Sequence, residues 1–126
     1  EVLMKAKYIQ KGDAVDYIPN QDMDAGEIVC LGNLIGITRI PIKAGTLGTL
    51  TLSGVFDIIK QAGVTFSTGD SVCWNSSSGS AAHTGVVLGL AIEKSSADSE
   101  HVRVLLNCNA NSQKESSGAD AEWLPL

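Results

Sequence analysis

Apolar residues in this chain recur with period two in short runs, separated by glycine and small polar residues. The densest stretch is Gly45 to Asn75. There Thr49, Leu50, Thr51 and Leu52 alternate, Ser53-Gly54 breaks the run, and Val55-Phe56 resumes it with a β-branched and an aromatic residue, which predicts strand, turn, strand. Thr68-Gly69-Asp70 makes a second turn. Ser71-Val72-Cys73-Trp74 then runs on as a short apolar strand that ends at Asn75 and a serine-rich loop.

The same pattern extends to both sides. Ala14 to Ile18 reads as a short strand, and Ile28 to Leu31 and Leu34 to Ile40 as two β-branched strands joined by a tight turn at Gly32-Asn33, where both residue types tolerate positive φ. Both faces of this pair are apolar, which predicts cover on two sides. Pro41 ends or edges the second strand, since it cannot donate to a ladder. Val86, Leu88, Leu90 and Ile92 form a large face opposite a small one of Val87, Gly89 and Ala91, which can let another backbone approach closely. After a turn at Ser95 to Ser99, Val102, Val104 and Leu106 point one way while Arg103 and Leu105 point the other. Only Asp57 to Ala62 could be helical. The fold class is therefore mainly β, a compact small β-barrel or β-sandwich with at most one short helix.

A weak internal repeat runs through these strands. Gly26-Glu27-Ile28-Val29-Cys30 matches Gly69-Asp70-Ser71-Val72-Cys73 at a spacing of 43, and Leu34-Ile35-Gly36-Ile37-Thr38 matches Val87-Leu88-Gly89-Leu90-Ala91 at 53. About ten extra residues therefore fall in the later copy, at Ser76 to Gly85. Duplication and chance likeness between short glycine-bearing β sequences both fit.

A chain of 126 residues fits one domain with a real core. Hydrophobic residues make up 44% but aromatics only 5%, so that core must be built from Val, Ile, Leu and Ala. The net charge is -5 and no window gathers the basic stripe that phosphate backbones require, which argues against nucleic acid as a partner. No run approaches a membrane span, and the N-terminus lacks a signal-peptide pattern, so a soluble protein made in the cytoplasm, with no membrane partner, is expected. Met4-Lys5-Ala6-Lys7 resembles a natural start, which would make Glu1 to Leu3 additional residues. Three regions follow: 1–11 as an N-terminal arm or first strand, 12–107 as the β-rich domain, and 108–126 as a polar tail whose Trp123, Leu124 and Leu126 need a place to pack.

Candidate chemistry is sparse. His83 has serines and aspartates in the same chain, but there is no nucleophile-elbow motif and its setting, Ser-Ser-Ser-Gly-Ser-Ala-Ala-His-Thr-Gly, has the composition of a flexible loop. No catalytic residue is assigned. Cys30, Cys73 and Cys108 are widely spaced, and neither they nor His83 and His101 have ligand spacing, so buried structural thiols are expected and no metal or other cofactor. Asn20, Asp22 and Asp24 imitate the start of a calcium loop, but its glycine comes one position late and Leu31 stands where the closing glutamate belongs. Lys5, Lys7 and Lys11 form a local basic cluster ahead of an acidic stretch, Asp13 to Glu27.

In order along the chain, KAKYIQKGDAVDYIP, AGEIVCLGNLIGITRIPIKAGTLGTLTLSGVFDIIK, GDSVCWN, and VVLGLAIE with HVRVLLN resemble the small capsid decoration, or cement, proteins of tailed phages and prophages. The resemblance spans Met4 to Asn107. Many relatives have proline where Ile59 stands, and the tail from Cys108 lies beyond the match. The resemblance implies a structural virion protein on the outer surface of the assembled head, commonly trimeric, that stiffens the shell by bridging major capsid subunits and has no enzyme activity. On that view its partners are the major capsid protein and its own copies. Lys5, Lys7, Tyr8, Ile9 and Lys11 are then expected in a capsid or subunit interface, with Trp123 and Leu124 docking on a neighbour. The alternative class is a β-barrel binding module for a small ligand or glycan, with Trp74 and Asn75 as its one aromatic platform and the Ser76 to Gly85 loop at its mouth.

Overall fold

The computed structural model describes residues 4–108, and among these every regular element is a strand. Contacts divide the chain into two compact units, Glu1–Gly54 and Val55–Leu126. The dividing point is the Ser53-Gly54 break.

The first unit holds β1 (Ala14–Tyr17), β2 (Ile28–Leu31), β3 (Leu34–Thr38) and β4 (Gly48–Thr51). They form an antiparallel sheet in the order β1-β4-β3-β2. Leu31 faces Leu34 across the Gly32-Asn33 turn. Gly32 takes the positive φ, 64°, and Asn33 does not, which is the arrangement with glycine first that suits the twist of a two-residue hairpin. Ile35, Gly36, Ile37 and Thr38 are all buried, so β3 is covered on both faces as its sequence predicts. β2 differs from the expectation, because it is the edge strand and Cys30 and Leu31 are exposed.

The second unit holds β5 (Val55–Ile59), β6 (Ser71–Asn75), β7 (Ser80–Ala82), β8 (Val86–Ala91) and β9 (His101–Leu106), ordered β5-β9-β8-β6-β7. Asp57 to Ala62 is not helical. Asp57, Ile58 and Ile59 lie in β5, opposite Arg103, Val102 and His101, because β-branched residues and a cross-strand ion pair suit a ladder better than a two-turn helix between glycines. The serine-rich segment is also not a flexible loop, since Ser80, Ala81 and Ala82 are buried as β7. Lys60 forms a parallel bridge with Ala81, and the Gln61 N–H donates to Ala81 O at 2.9 Å, so the two outer strands of this sheet meet and it closes on itself.

The units repeat one plan. Setting β7 aside, the first, fourth, third and second strands of each unit lie side by side in that order. Gly26 donates to Thr38 O at 2.6 Å and Thr38 to Glu27 O at 3.1 Å; in the second unit Gly69 donates to Ala91 O at 2.7 Å and Ala91 to Asp70 O at 2.9 Å. The Met23–Ile42 bridge recurs as Phe66–Ser95. Ile35 and Leu88 occupy matched places and are fully buried, as are Leu50 and Val104. The extra residues of the second copy contain β7, where the unequal spacings of the sequence repeat put them.

Candidate functional site

The residues with chemical potential are spent on holding turns. Asp22 Oδ1 accepts the Ala44 N–H at 2.9 Å, Glu27 Oε2 accepts the Asp24 N–H at 3.0 Å, and Thr38 Oγ1 donates to Asp24 O at 2.7 Å. These contacts build the loop before β2. Asn75 Oδ1 accepts the N–H groups of Ser77 and Ser78 at 3.0 and 3.2 Å, so the amide oxygen beside Trp74 is occupied within its own turn. The exposed His83 ring lies 4.5 Å from that of Phe66, centroid to centroid. Among the described residues no three His, Cys, Asp or Glu side chains gather as a metal site.

The thiols do not share one environment. Cys73 is buried on β6, as expected of a structural cysteine, Cys108 is half-buried, and Cys30 is exposed on the edge strand rather than in the core. Cover from neighbouring atoms raises the pKa of both Cys30 and Cys73, which keeps them protonated at neutral pH.

Lys60 is the one charged residue found buried among those described. Its ammonium donates to the carbonyls of Val64 and Ser96, the latter at 2.6 Å, and so ties the turn after β5 to the turn before β9. In the sequence, a lone lysine in an Ile-Ile-Lys-Gln run gives no sign of burial.

Surface features are more distinctive. Met4 to Lys11 has no strand and every residue is exposed, with Tyr8 at 80% and Ile9 at 74%. Lys5, Lys7, Tyr8, Ile9 and Lys11 thus stand together on one irregular segment ahead of β1. Trp123 and Leu124 lie outside the described residues. Exposed apolar residues also recur by unit. The outward positions of β1 and the residue after it, Asp16 and Ile18, match Asp57 and Ile59 on β5, and the two isoleucines are 59% and 55% exposed. Leu34 at the start of β3 likewise matches Val87 on β8, and both are exposed. Arg103 adds to the second copy, donating from Nε and Nη2 to the two oxygens of Asp57 at 2.8 and 2.9 Å and standing 3.7 Å from Glu93. The guanidinium bonds hold the Asp57 carboxyl below the usual range.

Among the described residues, then, every regular element is a strand, polar side chains brace turns, and the arm and several apolar side chains stand exposed. Residues 9–106 match the phage cement protein family, and the chain belongs to that family. Its role is therefore that of a structural, capsid-associated phage protein. No curated protein and no solved structure matches it.

Proposed function

We infer that this protein binds the outer surface of the assembled head and stabilises it by bridging major capsid subunits, as a homotrimer. The observation that carries the reading is the family match across residues 9–106, which takes in both units. Stabilisation follows by mass action. A ligand that binds the expanded shell and not its separated subunits adds free energy that must be lost before they part. Solvent-exposed isoleucines at Ile18 and Ile59 are surface that such a contact removes from water. Interface roles belong to Lys5, Lys7, Tyr8, Ile9 and Lys11 in the arm, and to Trp123 and Leu124 in the tail. The protein acts without a cofactor and without catalysis.

The reading is tested by heating DNA-filled heads with and without bound protein. Decorated heads are expected to release DNA at a higher temperature, and removal of residues 1–11 should lower occupancy. Unchanged release at saturating protein would contradict stabilisation, and full occupancy without the arm would contradict its interface role.

A further inference from the structure

The two sheets share one strand plan and differ at one edge. In the second, the outer side of β6 is covered by β7, with Cys73 opposite Ala82 and Asn75 opposite Ser80. In the first, β2 takes the place of β6 and Cys30 the place of Cys73, but β2 is the end of the sheet. The two-residue turn Gly32-Asn33 stands where the second unit has the segment that makes β7.

Backbone geometry says which groups are left over. Thr38 donates to Glu27 O at 3.1 Å, and the alternation of an antiparallel ladder then turns Val29 and Leu31 toward β3. The N–H and C=O of Ile28 and Cys30 point to the outer side. Proteins ordinarily blunt such an edge with a charge or a proline, yet β2 reads Ile-Val-Cys-Leu, with Cys30 and Leu31 exposed. Its sequence is that of a strand meant to be paired.

We propose that this edge accepts the N-terminal arm, Met4 to Lys11, of a second copy of the chain, as a fifth strand in the place that β7 fills in the second sheet. The inference deepens the reading above and rests on it for the expectation that copies meet. Charge selects the occupant. The arm carries three lysines and no acid, whereas Asp22, Asp24 and Glu27 lead into β2 and no Lys or Arg lies between Gly12 and Glu27. Run antiparallel to β2, as β7 runs to β6, the arm brings Lys7 to Lys11 toward the Asp24 to Glu27 end. Backbone pairing supplies affinity, and Tyr8 and Ile9 supply apolar area next to Cys30 and Leu31.

The chain's own arm starts from the wrong edge. It runs straight into β1, the opposite edge of the sheet, and its base is held there by Gln10 Nε2 donating to Ala14 O at 3.1 Å and by Lys11 standing 3.7 Å from Asp13. Each copy therefore gives one arm and offers one edge. Such a heterologous contact closes as a ring when its rotation allows, and a three-membered ring is a trimer.

Two variants test this. Cys30→Pro removes an N–H that points away from β3, a change an edge strand tolerates, and blocks the edge while leaving the arm. Deletion of residues 1–11 removes the arm while leaving the edge. Sedimentation equilibrium is expected to show each variant monomeric alone and a 1:1 complex when they are mixed. No complex at the highest soluble concentration, or self-association of either variant equal to that of the unaltered protein, would overturn the proposal. Should Cys30→Pro fail to fold, the synthetic peptide MKAKYIQK titrated into the arm-deleted protein replaces it. Saturable 1:1 binding with slowed amide exchange at Ile28 and Cys30 supports the proposal, and no binding overturns it. Head binding is scored separately. Full occupancy of heads by Cys30→Pro copies that do not join arm-deleted copies would put the arm on the major capsid protein, sinking this inference and leaving the head reading intact. Copies that pair but ignore heads would do the reverse.

Discussion

Gly89 and Leu105 approach so closely between β8 and β9 that a Cβ on the glycine would stand 1.9 Å from the leucine's carbonyl oxygen. The obstacle is backbone, so no side-chain rotation relieves it. Gly36 holds the matching place in the first unit, but there a Cβ would meet the Leu50 side chain at 2.8 Å. Gly89→Ala is therefore expected to destabilise by about 3 kcal/mol or more and Gly36→Ala by about 1–2 kcal/mol, the range over which overpacking is felt. Denaturant titration of the two variants checks the order; equal losses would contradict the close approach.

Lys60 is held by backbone carbonyls, with its stem buried. Lys60→Met keeps most of the stem and removes the donor, leaving the Val64 and Ser96 carbonyls without it. Loss of about 1–3 kcal/mol is expected, the range for losing hydrogen bonds from a charged donor to part-buried acceptors. Amide exchange of Gln61, which bonds to Ala81, should quicken along with it, because the closure of the second sheet passes through this turn.

The Asp57 carboxyl titrates below its ordinary value of 3.8, first because of the hydrogen bond from Arg103. A depressed folded-state value contributes stability that is complete above the unfolded value and is lost as pH falls through the folded one. The loss is confined to acid below about pH 4, and exposure of both side chains keeps the contribution small. Arg103→Gln should lower the melting temperature slightly at pH 7, and the gap from the unaltered protein should shrink as pH falls below about 4 and Asp57 becomes protonated in both. A gap that persists undiminished into acid would contradict the pairing.

Native-state thiol labelling should separate the cysteines. Cys30 reacts without unfolding and faster at alkaline pH, since cover raises its pKa, whereas Cys73 waits for the sheet to open. Mass spectrometry of labelled peptides reads this directly, and early modification of Cys73 would contradict its burial.

Much of this fold is legible in the order of residues. Alternation alone gives β9, where Val102, Val104 and Leu106 are buried and Arg103 and Leu105 are not. The small face of β8 foretells the approach at Gly89, and the unequal spacings of the repeat foretell an insertion in the second copy. What eluded the sequence is tertiary. Nothing in Ser-Ala-Ala marks a buried strand, because small residues read as loop until a neighbour closes over them. Ile-Val-Cys-Leu looks like core and lies at an edge, since hydrophobicity reports that a strand needs a partner and not whether the same chain provides one. The arm, Met4 to Lys11, is legible only as a basic, partly apolar cluster, for the interface role proposed for it has no fixed motif.

The central claim is decoration of the head. Purified protein would be sedimented with undecorated, expanded heads of the phage that encodes it, and the bound copies counted against the major capsid protein. Saturable binding at a fixed ratio is the expected result. No binding to expanded heads at any salt concentration would contradict the account.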